Sequence, residues 1–353
     1  MERTRRILVA PLDWGLGHAT RCIPLINALL KRNAEVIIAG SGSSAGLLKI
    51  EFPGLKHYPL PGYNPRYPAN SNMVFTMGLQ LPRFIKTIYS EYRAVNKLVE
   101  EEKIDVVISD NRYGCYSPQA KSIFITHQLH ILMPHNFKWM EGYVNYFNHR
   151  QVKNFDECWV PADNADLLGD LVPGKLPLNT RFIGYQSRFK KTESGLKYDV
   201  VAIASGPNPQ RKLFADMLRT QLKASGLNAL LIAGDVSGTE VFSEEGNLSE
   251  ANYLIGDKLN EAIQQSKTIV TRSGYSTIMD LAKLGKKPIF IATPGQTEQA
   301  YLAAQLMSKG IAYSMEQSAF NLKKALKESD KFSGFTTFED DVTLLDKAIQ
   351  SIL

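Results

Sequence analysis

The sequence has few of the features that mark secreted, zinc-binding or membrane-spanning proteins. Only three of its 353 residues are cysteines, Cys22, Cys115 and Cys158, and no CxxC pair occurs, which argues against a disulfide framework or a zinc site. The apolar run near the N-terminus is about six residues long, too short for a signal peptide, and no stretch approaches the roughly 20 apolar residues of a membrane span. A net charge of +6 does not indicate nucleic-acid binding. We therefore expect a cytoplasmic, globular protein.

Short β-rich runs alternate with helical periods along most of the chain. Strands are predicted at RRILVAPL, EVIIAGS, DVVISD, SIFITHQ and ECWVP, with helices near residues 18–32, 43–50, 80–101 and 137–153. The pattern restarts with DVVAIASG, NALLIAGD, ANYLIG, KTIVTRSG, KPIFIATP and IAYSME, with helices near 209–225, 257–266, 275–284 and 297–309. Such alternation is typical of parallel sheets. It predicts two doubly wound α/β domains, joined by the Gly-, Pro- and Lys-rich segment 161–195.

The stretch DWGLGHATR, residues 13–21, lies at the first strand-to-helix turn. Gly15 and Gly17 allow a tight turn and close approach of a ligand, and the first N–H groups of the following helix can bind an anion. His18 is placed to take a proton from a nucleophile, while Asp13 could orient His18 or act as the base itself. A plain helix-capping loop would account for the glycines equally well.

A second constellation spans residues 270–304, at two successive strand-to-helix turns. It contains Arg272, Ser273, Gly274, Ser276, Thr277, Asp280, Glu298 and Gln299. The first turn offers N–H groups, hydroxyls and a guanidinium to a diphosphate, and the second offers a carboxylate and an amide to vicinal hydroxyls. Taken singly, the acids could instead complement helix dipoles and the hydroxyls could be helix caps.

Residues 270–304 closely resemble the C-terminal domain of the family 28 glycosyltransferases, and GLGHATR is similar to the Gly-rich loop ending in His that opens their N-terminal domain. The family is typified by the enzyme that adds N-acetylglucosamine to the lipid-linked peptidoglycan precursor. The resemblance implies the GT-B fold, an α/β architecture of two Rossmann-like doubly wound domains facing a central cleft. It implies an acceptor domain at 1–184, a nucleotide-sugar donor domain at 185–338, and a helix at 339–353 that packs back on the first domain.

The resemblance also implies roles for individual residues. Gly274, Ser276 and Thr277 fall where the family binds the donor diphosphate, Asp280 where it has a ribose-binding carboxylate, usually glutamate, and Glu298 and Gln299 where it holds the donor sugar. The remaining donor-binding residues expected are Gly15, Gly17, Ser205, Gly206, Arg211, Arg272 and Ser273. His127 and Gln128 match a His-Glu-Gln-type turn expected to contact the acceptor, and Asp110, Asn111 and Tyr113 occupy a similar strand end.

The function implied is inverting, metal-independent transfer of a hexose or N-acetylhexosamine from a nucleotide-sugar, with uridine as the base, to a hydroxyl of a lipid or glycan precursor. No cofactor is expected. GLGHATR is also similar to the nucleotide-sugar hydrolases of nonulosonate synthesis, in which the histidine activates water. A non-catalytic nucleotide-sugar-binding protein is a further alternative, because it would need Glu298 and Gln299 but not His18.

One helical segment suggests a membrane contact. Its apolar positions Leu81, Ile85, Ile88, Tyr92, Val95 and Val99 predict a core-facing stripe, opposite a basic face of Arg83, Lys86, Arg93 and Lys97. The preceding stretch NMVFTMGLQLP is unusually apolar for a connection. Apolar and basic residues side by side suit peripheral docking on an anionic membrane, here the inner face.

Overall fold

Two seven-stranded sheets organise the described part of the chain. The computed structural model describes residues 3–66, 73–174, 179–192, 194–235, 239–336 and 342–353, without the side chains of Met73 and Val342. The first unit contains described residues up to 66, residues 74–188 and residues 342–353, and the second contains those between 189 and 336. Among the described helices, none is long and apolar enough to cross a bilayer.

The sheet of the first unit is parallel throughout. Its strands are β1 (Arg6–Pro11), β2 (Glu35–Gly40), β3 (Lys56–Pro59), β4 (Val106–Asp110), β5 (Lys121–Ile125), β6 (Glu157–Val160) and β7 (Asn179–Phe182). They pair in the order β3-β2-β1-β4-β5-β6-β7. The helices are α1 (Leu16–Leu30), α2 (Gly42–Glu51), α3 (Met73–Glu102) and α4 (Glu141–Val152), and a 3₁₀ turn at His135–Met140 precedes α4.

Alternating side chains of the buried strands fill both faces of this sheet. In β1, Ile7 and Val9 join one apolar cluster while Leu8 and Ala10 join another on the opposite face. This near-continuous apolar composition is what a parallel strand covered on both faces requires.

The second unit repeats this plan. Its strands are β8 (Tyr198–Ile203), β9 (Ala229–Ile232), β10 (Phe242–Glu245), β11 (Leu248–Ala251), β12 (Ser266–Thr271), β13 (Pro288–Phe290) and β14 (Tyr313–Ser314). The order is β10-β11-β9-β8-β12-β13-β14, with the pair β10–β11 antiparallel. The helices are α5 (Gln210–Ser225), α6 (Gly256–Gln264), α7 (Tyr275–Lys283), α8 (Thr297–Ser308) and α9 (Leu322–Ser329).

A last helix, α10 (Val342–Gln350), follows the second unit in the chain but belongs to the first. Its side chains Leu345, Ala348 and Ile349 are buried in the same cluster as the inner face of α1. The first unit is therefore assembled from two segments that are far apart in sequence.

Three edge strands were not predicted. β3, β7 and β10 are four residues each, are mostly exposed or half-buried, and carry too few apolar residues to give a strand pattern. β7 lies inside the segment expected to join the domains, and the described residues of that segment up to Arg188 belong to the first unit.

Helix α3 also differs from the prediction. It begins at Met73. In its first half, Leu81 and Ile85 are each about half exposed, whereas Val95 and Val99 in its second half are buried as expected. The apolar stripe is covered by the sheet only over its second half.

Candidate active site

The predicted residues of the first unit gather at the carboxyl edge of its sheet. The chain runs from β1 outward to β3, then returns to β4 on the other side of β1, so the strand order reverses between β1 and β4. Ligands of open α/β sheets bind outside the carboxyl ends of the strands at such a reversal. α1 starts just after β1, and Asp110 is the last residue of β4.

The turn into α1 leaves its N-terminal amides uncapped by a side chain. Gly15 occupies the N-cap position with φ +98°, a backbone conformation that is strained for a residue with a Cβ. The space where a Cβ would point is open, with no atom within 4 Å. No side chain caps the helix at this residue, and no acidic residue lies in its first turn. The turn thus has the features of an anion-binding helix N-terminus.

His18, in the first turn of α1, forms a cluster with Asp110 and Arg21. The Nδ1 atom of His18 lies 3.2 Å from Asp110 Oδ1, while Arg21 Nε donates to Asp110 Oδ2 at 2.7 Å and Arg21 Nη2 donates to Asp110 Oδ1. Arg21 Nη2 also lies 2.9 Å from His18 Nδ1. The side chains of Arg21 and Asp110 are almost fully buried, whereas His18 keeps 15% of its side-chain surface. Its Nε2 atom is therefore the nitrogen left to react.

The electrostatics of this cluster favour an ionised Asp110 and a neutral His18. Burial alone would raise the pKa of Asp110, but Arg21 and His18 hold that pKa well below its usual range. Burial lowers the pKa of His18 below its ordinary value, with Asp110 opposing and Arg21 reinforcing the shift. The neutral tautomer protonated on Nδ1 donates to Asp110 and presents the Nε2 lone pair as a base, whereas the tautomer protonated on Nε2 would let Nδ1 accept from Arg21 Nη2.

The carboxylate that contacts His18 is Asp110, and the prediction that Asp13 orients it is wrong. Asp13 Oδ2 instead accepts the Tyr63 N–H at 3.0 Å, while its Oδ1 atom is buried with no hydrogen-bond partner among the described residues. The Trp14 ring beside it is 38% exposed and contacts Tyr63 and Phe84, with ring centroids 6.3 and 5.6 Å away. Asp13 can still accept a hydrogen bond or a proton at Oδ1.

A buried ion pair anchors the end of β1, where this turn begins. Arg112 Nε donates to Glu91 Oε1 at 2.7 Å, and both side chains are fully buried. Arg112 Nη1 donates to the Pro11 carbonyl at 3.0 Å, and Tyr63 donates its hydroxyl to Glu91 Oε2 at 2.6 Å. Helix α3, the end of β1 and the loop at residue 63 are thereby joined through one guanidinium and one carboxylate.

The residues predicted to contact the acceptor have different surroundings. Asp110 is fully engaged by Arg21 and His18, so the structure gives it a role on His18 rather than on an acceptor. Tyr113 donates its hydroxyl to Asn148 and stacks on Phe124, which makes it a packing residue. Both side chains are bonded within the first unit, and their role as acceptor contacts stays a prediction.

Three other residues of that set remain at the edge. Asn111 follows β4 in a left-handed conformation, φ +58°, with its N–H bonded to the Ile125 carbonyl. His127 receives a hydrogen bond from Arg21 Nη1 to its Nδ1 atom at 2.9 Å, and Gln128 is half-buried. They stay predictions as acceptor contacts.

The second unit aligns three strand-to-helix turns at one edge. β8, β12 and β13 are neighbours, so the turns that follow them lie side by side. Ser205 and Gly206 form the first turn, where Gly206 has φ +103°. Arg211, in the helix that follows, donates to Asp235 at 3.1 Å and so is already paired.

Two predicted donor-binding residues are structural. The guanidinium of Arg272 is buried, donates to the carbonyls of Ile291 and Ala292 at 3.1 and 3.0 Å, and stacks 3.8 Å above the Phe214 ring. Burial lowers its pKa to about 9. The buried Ser273 hydroxyl donates to the Gln299 carbonyl at 2.7 Å. These side chains tie neighbouring turns together, and a role of this turn in donor binding stays a prediction.

The remaining predicted residues lie on the half-buried side of their helices. Gly274 is the N-cap of α7, without a side-chain cap, and Ser276, Thr277 and Asp280 are half-buried while the residues around them form core. Glu298 and Gln299 are half-buried in the first turn of α8.

The side chain of Gln299 is oriented by the backbone. Its Oε1 atom accepts the Thr293 N–H at 2.8 Å, which fixes the amide in place and directs its nitrogen away from that bond. Because Ser273 bonds to its carbonyl, the starts of α7 and α8 are held together. Hydroxyls, helix amides and a fixed carboxamide thus share one edge.

Comparison with known proteins agrees with this arrangement. Residues 218–340 match the family described as glycosyltransferase family 28 C-terminal domain. The chain is a family-28-like glycosyltransferase. The match covers the turns after β12 and β13, and so covers Ser276, Glu298 and Gln299.

Relatives and a solved structure extend the likeness over the whole chain. An uncharacterized glycosyltransferase of Methanosarcina mazei is 24% identical over 328 residues, 86% of this chain and 85% of the relative. The UDP-N-acetylglucosamine–N-acetylmuramyl-(pentapeptide) pyrophosphoryl-undecaprenol N-acetylglucosamine transferase of Histophilus somni is 26% identical over 48% of each chain.

The crystal structure of the spinosyn rhamnosyltransferase SpnG complexed with thymidine diphosphate superposes with a TM-score of 0.61 at 15% identity, over 98% of this chain and 96% of the other. The GT-B fold expected for this glycosyltransferase is confirmed.

Sequence reasoning missed the role of Arg21 and the Arg112–Glu91 pair. A signal existed for Arg21, which lies three residues after His18 and so on the same side of α1. None existed for Arg112, because its partners come from segments about 20 to 100 residues away in the chain.

Proposed function

We propose that this glycosyltransferase transfers a sugar with inversion from a UDP-linked hexose or N-acetylhexosamine to an acceptor hydroxyl, with His18 as the general base. The observation that carries the proposal is the His18–Asp110 pair at the uncapped start of α1. A buried carboxylate facing Nδ1 and an imidazole side chain that keeps part of its surface exposed are the arrangement that proton removal from a hydroxyl needs.

The chemistry follows from this pair. His18 Nε2 takes the acceptor hydroxyl proton while the hydroxyl oxygen bonds to the anomeric carbon and the bond from that carbon to the diphosphate oxygen breaks. Asp110 stabilises the imidazolium that forms, because it accepts from Nδ1. Attack on the face opposite the leaving diphosphate inverts the anomeric centre.

The donor is assigned to the second unit. Amides at the start of α7, with Ser276 and Thr277 nearby, suit the negative diphosphate, and Glu298 with Gln299 suits the sugar hydroxyls. Asp280, on the same helix, is the candidate for the ribose. Helix amides in this role stabilise the leaving group without a resident metal.

Substitution of His18 is the decisive experiment. We expect His18→Gln to lower turnover by about 10²- to 10⁴-fold, with UDP-sugar binding by thermal shift unchanged. His57→Gln, which lies on edge strand β3 and bonds to the Phe52 carbonyl, is the matched control. Full activity in His18→Gln would refute the assignment of His18 as the general base. If Asp13→Asn were inactive in the same assay, the base would be Asp13 instead.

Three further measurements address the finer parts of the proposal. UDP release without an acceptor, at the rate of transfer, would identify a hydrolase. A panel of UDP, GDP, dTDP and CMP in the thermal-shift assay identifies the base. Activity that is retained in EDTA is expected, and its complete loss with recovery on adding Mg²⁺ would refute metal independence.

We further propose that the protein is cytoplasmic and contacts an anionic membrane, where a lipid-linked acceptor would lie. Helix α3 exposes Phe75, Leu79 and Tyr89, and its exposed residues also include Lys86 and Arg93. Co-sedimentation with phosphatidylglycerol vesicles should fall in Phe75→Ser/Leu79→Ser. Val241→Ser, an exposed residue of the second unit, is the control. Equal sedimentation of both variants would refute the contact.

A further inference from the structure

Arg21 is positioned to control the charge of His18. Its guanidinium holds Asp110 through two hydrogen bonds, from Nε to Oδ2 and from Nη2 to Oδ1. The same Nη2 atom lies 2.9 Å from His18 Nδ1. One buried cation therefore contacts both members of the pair to which the base is assigned.

The charged and titratable groups around His18 come from three elements of the first unit. Arg21 and Cys22 lie on α1, Asp110 ends β4, and His127 follows β5. The Cys22 thiol donates to Asp110 at 3.6 Å, and Arg21 Nη1 lies 2.9 Å from His127 Nδ1. Asp110 is the one anion in this set, and Arg21 already neutralises it.

Without Arg21 the pair would have a different charge state. A bare buried carboxylate 3.2 Å from an imidazole strongly favours the imidazolium, because an opposite charge at that distance stabilises the protonated ring. An imidazolium cannot accept a proton from a hydroxyl. With Arg21 in place, a second positive charge would sit 2.9 Å from the guanidinium in a buried site, which is unfavourable.

We infer, on the basis of the function proposed above, that Arg21 is a positioning residue that keeps His18 uncharged at neutral pH and so available as a base. It acts through Asp110 and through its own charge, without contacting substrate. Asp110 alone would orient His18 but would also charge it.

An NMR titration of His18 in ¹⁵N-histidine-labelled protein tests this directly and without substrate. The His18 signals are assigned by their absence in His18→Gln. The wild-type ring should be neutral at pH 7, and Arg21→Met should raise its pKa by about one to three units. Arg21→Lys, which keeps the charge but loses the planar fork, should give a smaller rise.

Arg32→Met, two residues beyond the end of α1, is the matched control, since Arg32 pairs with Asp346. It should leave the titration unchanged. In Arg21→Met the acid limb of the kcat/KM profile should move upward with the NMR value, which a purely structural loss would not cause.

Two results would overturn the inference. One is a His18 titration in folded Arg21→Met equal to that of wild type. The other is a wild-type His18 that is already protonated at pH 7, which decides the matter even where Arg21→Met does not fold. Full transfer activity in His18→Gln would instead refute the base and leave the control of charge by Arg21 intact.

Discussion

Glu91→Gln should destabilise the first unit strongly, because it leaves the buried Arg112 guanidinium without a counter-charge. Both side chains are fully buried, and Glu91 accepts from Arg112 Nε at 2.7 Å, from the Tyr63 hydroxyl at 2.6 Å and from the Gly114 N–H at 3.3 Å. Breaking a buried pair by removing one partner costs about 3–5 kcal/mol. For a unit of this size that corresponds to a fall in Tm of roughly 6 to 20 °C.

Tryptophan emission is the assay suited to this change. The three tryptophans, Trp14, Trp139 and Trp159, all lie in the first unit, so a thermal melt followed by their fluorescence reports that unit alone. Glu101→Gln on the same helix is the control. It removes an exposed pair with Lys97, 3.6 Å apart, and should change stability by less than about 1 kcal/mol.

A double variant separates the charge from the packing. Glu91→Leu combined with Arg112→Met removes both charges, and we expect it to recover a large part of the stability lost in either single variant. If Glu91→Gln had the same Tm as the Glu101→Gln control, the buried Arg112–Glu91 pair would not be required for the stability of the first unit. A double variant no more stable than the worse single would show that the hydrogen bonds to Pro11 and Tyr63, rather than the charges, carry the effect.

Three further predictions concern the same unit. Gly114→Ala should cost about 1–3 kcal/mol because its Cβ would meet the Ile88 carbonyl oxygen at 2.1 Å, whereas Gly142→Ala, with open space around it, should be neutral or slightly stabilising. Because the pKa of Asp110 is depressed in the folded state, its stabilising contribution is present at neutral pH and is lost as the pH falls below about 4; Asp110→Asn should flatten this acid dependence. Ile349→Ala should cost about 2–5 kcal/mol, and the exposed Leu353→Ala less than about 0.5 kcal/mol.

Each of these three predictions has a result that would contradict it. Equal melting of the Gly114 and Gly142 variants would show that the loop at residue 114 yields to the added Cβ. An acid dependence that is the same with and without Asp110 would place the titrating group elsewhere. A stable Ile349→Ala protein would mean that α10 contributes little to the first core.

The sequence predicted the fold well because its dominant signal is local. Most buried strands carry their own apolar run and most helices their own periodicity, so the alternation could be read without knowing which strands pair. The exception is β11, Leu248–Ala251, which lies just before the predicted run ANYLIG and shares only Ala251 with it. The edge strands β3, β7 and β10 were not predicted, because a strand at the edge of a sheet can be largely exposed and then needs no apolar run. Helix α3 was misjudged where its apolar side chains are exposed, since exposure depends on what lies across from a helix.

The site was predictable by position and less so by orientation. His18 and Asp110 were both placed at strand ends, yet their contact depends on β1 and β4 being neighbours, a pairing between residues about a hundred positions apart. Arg272 and Ser273 have the residue types that bind phosphate, but their side chains turn into the protein. Residue type and spacing do not encode that choice, because the partners come from distant turns.

The docking of α10 on the first unit has a consequence for biosynthesis. A chain growing from its amino end must produce the whole second unit before α10 emerges. Until then the apolar surface of α1 that receives Leu345, Ala348 and Ile349 stays open to solvent. The first unit of the nascent chain thus exposes this apolar surface while about 150 further residues are translated. During that time, chaperone binding or premature association competes with completion of the core.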